Sequence, residues 1–195
     1  MRYRAFFDEI ETIVVEDELA KFLGVNDDGV IEFSYADIVK TAGHSCGTVA
    51  GAYLIVREGL KSLYKDDMPR RGEIKVELKK APRDDNAGVI GAVISTVTGA
   101  TESYGFGGIP GGKFNRRDLL FFEADIDTAV RLTRLDTNES VGINYMPKKV
   151  VDPMKILMSA ISEGATQEDK ESFPDRFQDM VQTLFQNVNT VIEIK

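Results

Sequence analysis

The chain has 195 residues, of which 43% are hydrophobic, enough for one well-filled core. Its formal net charge of −8 argues against nucleic acid or an anionic membrane surface as the main partner, because both would repel the chain at long range. No apolar run approaches the length of a membrane span, and acidic residues interrupt the start of the chain before a secretory signal forms. A single cysteine cannot form an internal disulfide, which fits a cytoplasmic protein.

The first part of the chain is expected to be largely helical. Residues 5–24 carry apolar side chains at helical spacing and predict a helix that ends at Gly24. Ile31 and Phe33 indicate a short strand, and Ser34 is the expected N-cap of a second helix that leads to residue 44.

His44 and Cys46, the only histidine and the only cysteine of the chain, lie two positions apart. The residues that follow, up to Tyr64, predict a helix with one apolar side. That side is formed by Val49, Ala52, Tyr53, Val56, Leu60 and Leu63. The pair therefore lies at a predicted helix N-terminus, where free backbone N–H groups and the helix dipole stabilise a thiolate, the form that binds metals and attacks electrophiles.

The middle of the chain contains one strand signal and one ambiguous apolar segment. Residues 73–79 alternate polar and apolar side chains and predict a strand with one buried face. Residues 87–97 favour a helix with an acidic N-cap that stops at Gly99, and a buried strand is the alternative because β-branched residues are frequent.

A glycine-rich segment follows at residues 99–113, and loops of this length are often functional. Its last seven residues match the spacing G-x-x-x-x-G-K, but Phe114 stands where a nucleotide-binding P-loop needs serine or threonine for magnesium. The remaining prediction is a carboxylate or phosphate held by backbone N–H groups with Lys113, Arg116 and Arg117.

Three further strands are predicted at residues 119–122, 129–135 and 141–145, with antiparallel pairing because their connections are short. Arg131 and Arg134 are expected to be solvated or salt-bridged.

The C-terminal part changes to helical patterns. Asp152 and Pro153 open a helix that is predicted to end at residue 164. A second helix opens at Thr166 and is expected to be kinked or reset at Pro174. Residues 191–194 can add an edge strand.

Two motifs resemble the FmdE family of formylmethanofuran dehydrogenase subunits. Residues 43–47, Gly-His-Ser-Cys-Gly, are similar to its Gly-His-x-Cys-Pro-Gly signature, and residues 97–101 are similar to its Thr-Gly-x-Thr stretch. Gly47 replaces the proline of the signature, and Ala100 stands where many members carry a cysteine. The resemblance spans roughly residues 30–150. It implies an α+β domain, often a homodimer, with a metal-binding cleft, whereas it implies no particular reaction.

Together these patterns predict an α+β fold with a mostly antiparallel sheet packed with helices and a C-terminal helical extension. Residues 1–150 are expected to form the FmdE-like domain, and residues 151–195 the extension, which is not an independent domain.

His44 and Cys46 are predicted metal ligands. Since the chain has no other histidine or cysteine, the remaining donors must be carboxylates, water, ligand atoms or residues of a second subunit. Asp85 is the candidate third ligand or a residue that orients the other two, with Asp84 beside it. Such a set of donors favours zinc and leaves an open coordination position.

Other interpretations of the pair remain open. A packed, hydrogen-bonded histidine beside a buried cysteine is the structural alternative, and the resemblance favours the metal. Cys46 can instead be a redox or nucleophilic thiol with His44 as its base, although the chain has no resolving cysteine. A third possibility is a non-catalytic module that holds a small-molecule ligand or cofactor for a partner enzyme. Thr101 and Lys113 are predicted to line the ligand cleft.

Overall fold

The computed structural model describes residues 3–195 and shows an α+β fold. Two short 3₁₀ turns lie at Ala5–Glu9 and Pro147–Lys149. The strands are β1 (Ile13–Glu16), β2 (Val30–Phe33), β3 (Ile74–Leu78), β4 (Leu120–Phe121), β5 (Val130–Arg134), β6 (Ser140–Tyr145) and β7 (Ile192–Ile194). The helices are α1 (Glu18–Phe22), α2 (Tyr35–Ala42), α3 (Gly47–Tyr64), α4 (Ala87–Thr98), α5 (Pro153–Ile161), α6 (Gln167–Gln186) and α7 (Val188–Val191).

The main sheet has five strands in the order β4-β3-β5-β6-β7, and β1 and β2 form a separate antiparallel pair. The neighbours β3–β5, β5–β6 and β6–β7 are antiparallel, which confirms the predicted mostly antiparallel sheet. The predicted antiparallel pairing of the 119–122 strand is wrong, because β4 pairs with β3 in parallel. The crossover through α4 and the glycine-rich segment returns the chain to the same end of β3, as a parallel pair requires.

Helix α3 is the centre of the core. Tyr53, Leu54 and Ile55 follow one another in the sequence, and each is at most 1% exposed. A helix that is buried on all sides must be covered by several elements, and α3 packs against α2, α4, α6 and the strands β5, β6 and β7. The predicted helix is confirmed, but its burial extends beyond the single apolar side that the spacing indicated.

Two glycines of α3 permit close contact with the sheet. A Cβ atom at Gly51 would lie 2.3 Å from the ring of Tyr145, and one at Gly59 would lie 2.8 Å from the side chain of Leu132. These distances are too short for real side chains, so the helix depends on glycine at both positions to approach β5 and β6.

The predicted helix over residues 5–24 is wrong. Ile13, Val14 and Val15 are β-branched, which favours a strand, and they form most of β1. Asp17 then ends the strand and caps the short helix α1, since its carboxylate accepts hydrogen bonds from the backbone N–H groups of Leu19 (2.9 Å) and Ala20 (3.3 Å). The apolar spacing at this end of the chain thus reflects a strand followed by a helical turn.

The ambiguous segment after β3 is the helix α4, as preferred, and not a buried strand. The predicted acidic N-cap is wrong. Asn86 occupies the N-cap in a left-handed conformation, with φ of 64° and no side-chain capping bond. The predicted end is confirmed, because Gly99 has φ of 73° and its N–H bonds to the carbonyl of Ser95.

The C-terminal segment contributes both helices and a strand. Asp152 caps α5, as predicted, but the helix ends at Ile161, before residue 164. Helix α6 begins with a capping box at Thr166 and continues through Pro174, where the predicted reset does not occur. The predicted edge strand is confirmed as β7. Over residues 3–195 the structure contains no helix with the length and apolar content needed to cross a bilayer.

Candidate functional site

The His44–Cys46 segment lies in a tight connection between two helices. Helix α2 ends at Gly43, which adopts a left-handed conformation with φ of 78°. Cys46 is the N-cap of α3, in an extended conformation. The predicted position of the pair at a helix N-terminus is therefore confirmed.

The imidazole of His44 is exposed, and one of its two nitrogens is engaged. Its Nδ1 lies 3.0 Å from the carbonyl oxygen of Ala42. Because a carbonyl oxygen can only accept, Nδ1 must donate the proton, and in the neutral ring Nε2 keeps a free lone pair. Metal-binding histidines commonly have this arrangement, in which a backbone acceptor fixes the tautomer and the orientation of the ring.

The thiol of Cys46 is half-buried at the start of α3. Its Sγ accepts a hydrogen bond from the backbone N–H of Val49 at 3.5 Å. This contact and the positive end of the helix dipole both favour negative charge on sulfur. Burial raises the pKa of the phenols of Tyr35 and Tyr145, and a charge on Cys46 adds to the rise. Both tyrosines are therefore neutral hydrogen-bond donors at physiological pH.

Three side chains from other elements hold the backbone around the pair. Tyr145 at the end of β6 donates to the carbonyl of Gly47 at 2.8 Å. Gln178 on α6 donates to the carbonyl of Ser45 at 3.1 Å, and Tyr35 lies 3.0 Å from the hydroxyl of Ser45. These residues were not predicted as part of the site. No local pattern marks them, because Gln178 and Tyr145 are 133 and 98 positions from their partners.

His44 and Cys46 line one cavity of about 380 Å³, which we call the thiol cavity. Its wall is otherwise formed by the N-terminus of α3, by Tyr145 and by residues of α5 and α6. A larger cavity of about 770 Å³, the sheet cavity, lies beside it. The two cavities share a wall of five residues, namely Thr48, Asn86, Tyr145, Pro147 and Lys148.

No third metal donor is grouped with His44 and Cys46. Across residues 3–195, no set of three histidine, cysteine, aspartate or glutamate side chains is placed to hold one metal ion. Asp85 lines the sheet cavity and is ion-paired with Lys80, whose hydrogen bond lowers the pKa of the Asp85 carboxyl. Asp152 does line the thiol cavity, but one of its oxygens caps α5.

Thr101 and Lys113 line neither cavity. The hydroxyl of Thr101 donates to the carbonyl oxygens of Tyr104 and Arg116, the latter at 2.7 Å, and so fixes the glycine-rich segment internally. Lys113 is exposed on that segment. The structure therefore does not bring either residue to His44 and Cys46.

The two arginines predicted to hold an anion with Lys113 are engaged within the fold. Arg116 is buried and donates to Asp17 at 2.6 Å, and Arg117 donates to the carbonyl of Gly105 at 2.7 Å. The positive charge of this segment therefore serves mainly to anchor it.

Comparison with known proteins gives one distant likeness. The crystal structure of a tungsten formylmethanofuran dehydrogenase (FmdE)-like protein from Syntrophus aciditrophicus is similar to this chain, with a TM-score of 0.39 and 16% sequence identity. The match covers 84% of this chain and 71% of that one. Neither a family model nor a curated protein matches the chain. The likeness concerns the fold alone.

Proposed function

We propose that the protein binds a divalent transition metal through Nε2 of His44 and Sγ of Cys46, with a small ligand in the thiol cavity completing the coordination. The observation that carries this proposal is the hydrogen bond from Nδ1 of His44 to the carbonyl of Ala42. It leaves Nε2 free in the chain's only imidazole, and the chain's only thiol lines the same cavity.

The donor set supports zinc as the ion. Imidazole nitrogen and thiolate sulfur are common zinc donors, and zinc usually takes about four ligands in total. Two protein donors leave positions for a ligand or water, as in catalytic and ligand-binding sites. When bound, the ion would supply Lewis-acid polarisation to a ligand atom. The chain's own contribution is to fix the imidazole through Ala42 and the sulfur through Val49.

A third protein donor and a homodimer are further parts of the proposal. Asp85 would have to exchange its ion pair with Lys80 for the metal, or a second copy of the chain would have to supply a carboxylate. An Asp85→Asn variant with unchanged metal affinity would remove Asp85 from the ligand set. Light scattering coupled to size-exclusion chromatography, with and without zinc, measures whether the chain dimerises and whether the metal is needed.

Cobalt spectroscopy tests the site directly. We expect Co²⁺ added to metal-free protein to produce a thiolate-to-cobalt charge-transfer band that saturates at one ion per chain and is displaced by zinc. Cys46→Ser should abolish that band, and His44→Ala should weaken cobalt binding. Ser45→Ala is the matched control, since its side chain lies between the two donors in sequence and is not a proposed ligand. A parent protein without a charge-transfer band would contradict the proposal.

The second candidate function is a reactive thiol, favoured by the hydrogen bond from Val49 to Cys46 at the helix N-terminus. A reactive thiol would be alkylated rapidly by iodoacetamide, without any effect of chelators, and more slowly in His44→Ala. A metal-bound thiol would be protected by zinc, and a chelator would remove the protection. Turnover of a small carbonyl or phosphate substrate would identify an enzyme, whereas ligand binding without turnover would identify a binding module.

A further inference from the structure

The sheet cavity combines an apolar floor with a charged rim. Ile55 of α3, Leu78 of β3 and Val130 of β5 line it, and each is at most 2% exposed. At about 770 Å³ the cavity is within the usual range of small-molecule sites, about 300–1,000 Å³. Its floor lies against the central core and is therefore a rigid surface.

The uncharged polar side chains of the wall are largely engaged with the fold. The amide of Asn144 donates to Glu193 at 2.8 Å and accepts from the backbone N–H of Ala129 at 2.9 Å. Thr128 donates to the carbonyl of Val130 at 2.9 Å. These groups shape the wall, and the charged side chains are left to select the ligand.

The charged groups of the rim are three lysines and two carboxylates, Lys79, Lys80, Lys148, Asp85 and Asp127. Lys80 and Asp85 form an ion pair with each other. Lys79 and Lys148 form no ion pair with any residue in the range 3–195, and the single remaining carboxylate is Asp127. The rim therefore carries one excess positive charge on a chain whose net charge is −8.

We propose that the sheet cavity binds an organic anion with an apolar body, which lies on the Ile55–Leu78–Val130 floor with its negative group beside Lys79 and Lys148. This site goes beyond the metal site and does not depend on it. Because Lys148 and Tyr145 border both cavities, a ligand in the sheet cavity would lie next to the thiol cavity.

A pair of fluorescent probes separates the apolar contribution from the charge. 8-Anilinonaphthalene-1-sulfonate and N-phenyl-1-naphthylamine share the same ring system, and only the first carries a sulfonate. Both are titrated into metal-free protein in the presence of a chelator. We expect one saturable site per chain for each probe. Added salt should weaken the sulfonate and leave the neutral probe unchanged.

Three variants locate the site. Lys79→Met and Lys148→Met should each weaken the sulfonate about two- to fivefold, the range typical of a solvent-exposed charge, and leave the neutral probe within about twofold. Lys170→Met, on α6 and outside the cavity wall, is the matched control. Ala129→Trp adds bulk at an exposed wall position and should weaken both probes at least tenfold.

Several results would overturn the proposal: no saturable binding, lysine variants that weaken both probes equally, or a folded Ala129→Trp variant that binds both like the parent. His44→Ala and Cys46→Ser should bind both probes normally. Since the probes are tested without metal, the failure of this site and the failure of the metal site are distinguishable.

Discussion

Asp17→Asn is expected to destabilise the protein strongly, because Asp17 is the carboxylate shared by two arginines. Its side chain is 4% exposed. It accepts from Nη2 of Arg116 at 2.6 Å and from Nη1 of Arg71 at 2.8 Å. Arg116 follows the glycine-rich segment, so these bonds tie that segment to the end of β1.

The magnitude follows from what asparagine keeps and what it removes. Asparagine preserves the side chain's size and an oxygen that can still cap α1, so the main loss is the negative charge. Arg116, 7% exposed, would then be a buried cation without its counter-ion, whereas Arg71 is 24% exposed and can be partly solvated. Breaking a buried ion pair from one side costs about 3–5 kcal/mol, and we expect a loss of that size.

Urea unfolding followed by far-ultraviolet circular dichroism measures the free energy of unfolding. The chain has no tryptophan to report on the transition. Asp175→Asn is the matched control, since Asp175 forms an ion pair with Arg4 at 2.6 Å with both side chains at least half exposed. It should cost less than about 1 kcal/mol. Adding Arg116→Met to Asp17→Asn should recover part of the stability. Equal losses in the two asparagine variants would refute the reasoning.

Three further predictions concern the fold. Burial alone would raise the pKa of Asp17, but the Arg71 hydrogen bond and the charges of the two arginines outweigh it and hold the pKa below 3.8. The parent should therefore lose stability more steeply than Asp17→Asn as pH falls below about 4, where the carboxylate is protonated and its contribution disappears. Gly51→Ala should cost about 1–3 kcal/mol by displacing Tyr145, whereas Gly164→Ala, with open space around it, should be nearly neutral by the same urea titration. A chain without residues 151–195 should show no cooperative thermal transition, because it lacks β7 and the buried face of α6; a cooperative transition would contradict the proposed dependence of the two parts.

The elements that the sequence predicts well are those whose signal is local. Helix α3 follows from its apolar spacing, β3 from its alternation, and the start of α6 from the Thr166–Asp169 capping box. In each case the residues that determine the element lie within it or at its end.

The failures arise where distant contacts decide the structure. Over residues 5–24, β1 exists because it pairs with β2, residue by residue from Ile13–Phe33 to Glu16–Val30. Likewise β4 is assigned by its parallel partner β3, which precedes it by more than a helix. Apolar spacing within one segment cannot identify a partner strand.

The candidate site shows the same division. The placement of His44 and Cys46 at a helix N-terminus was predictable, because helix signals flank them. The roles of Tyr145 and Gln178 were not, since they act on backbone carbonyls through contacts that only the folded chain creates. Thr101 was predicted to line a cleft, but its hydroxyl is bonded within the glycine-rich segment. A side chain's residue type does not reveal which partner it meets.

Metal content is the most direct measurement of the central claim. Protein without a histidine tag, purified anaerobically, is analysed by elemental mass spectrometry for the parent, His44→Ala and Cys46→Ser, with circular dichroism to confirm that each is folded. We predict near-stoichiometric zinc, or another divalent transition metal, in the parent and its loss in both variants. A parent that contains no such metal, even after reconstitution with zinc, would contradict the account.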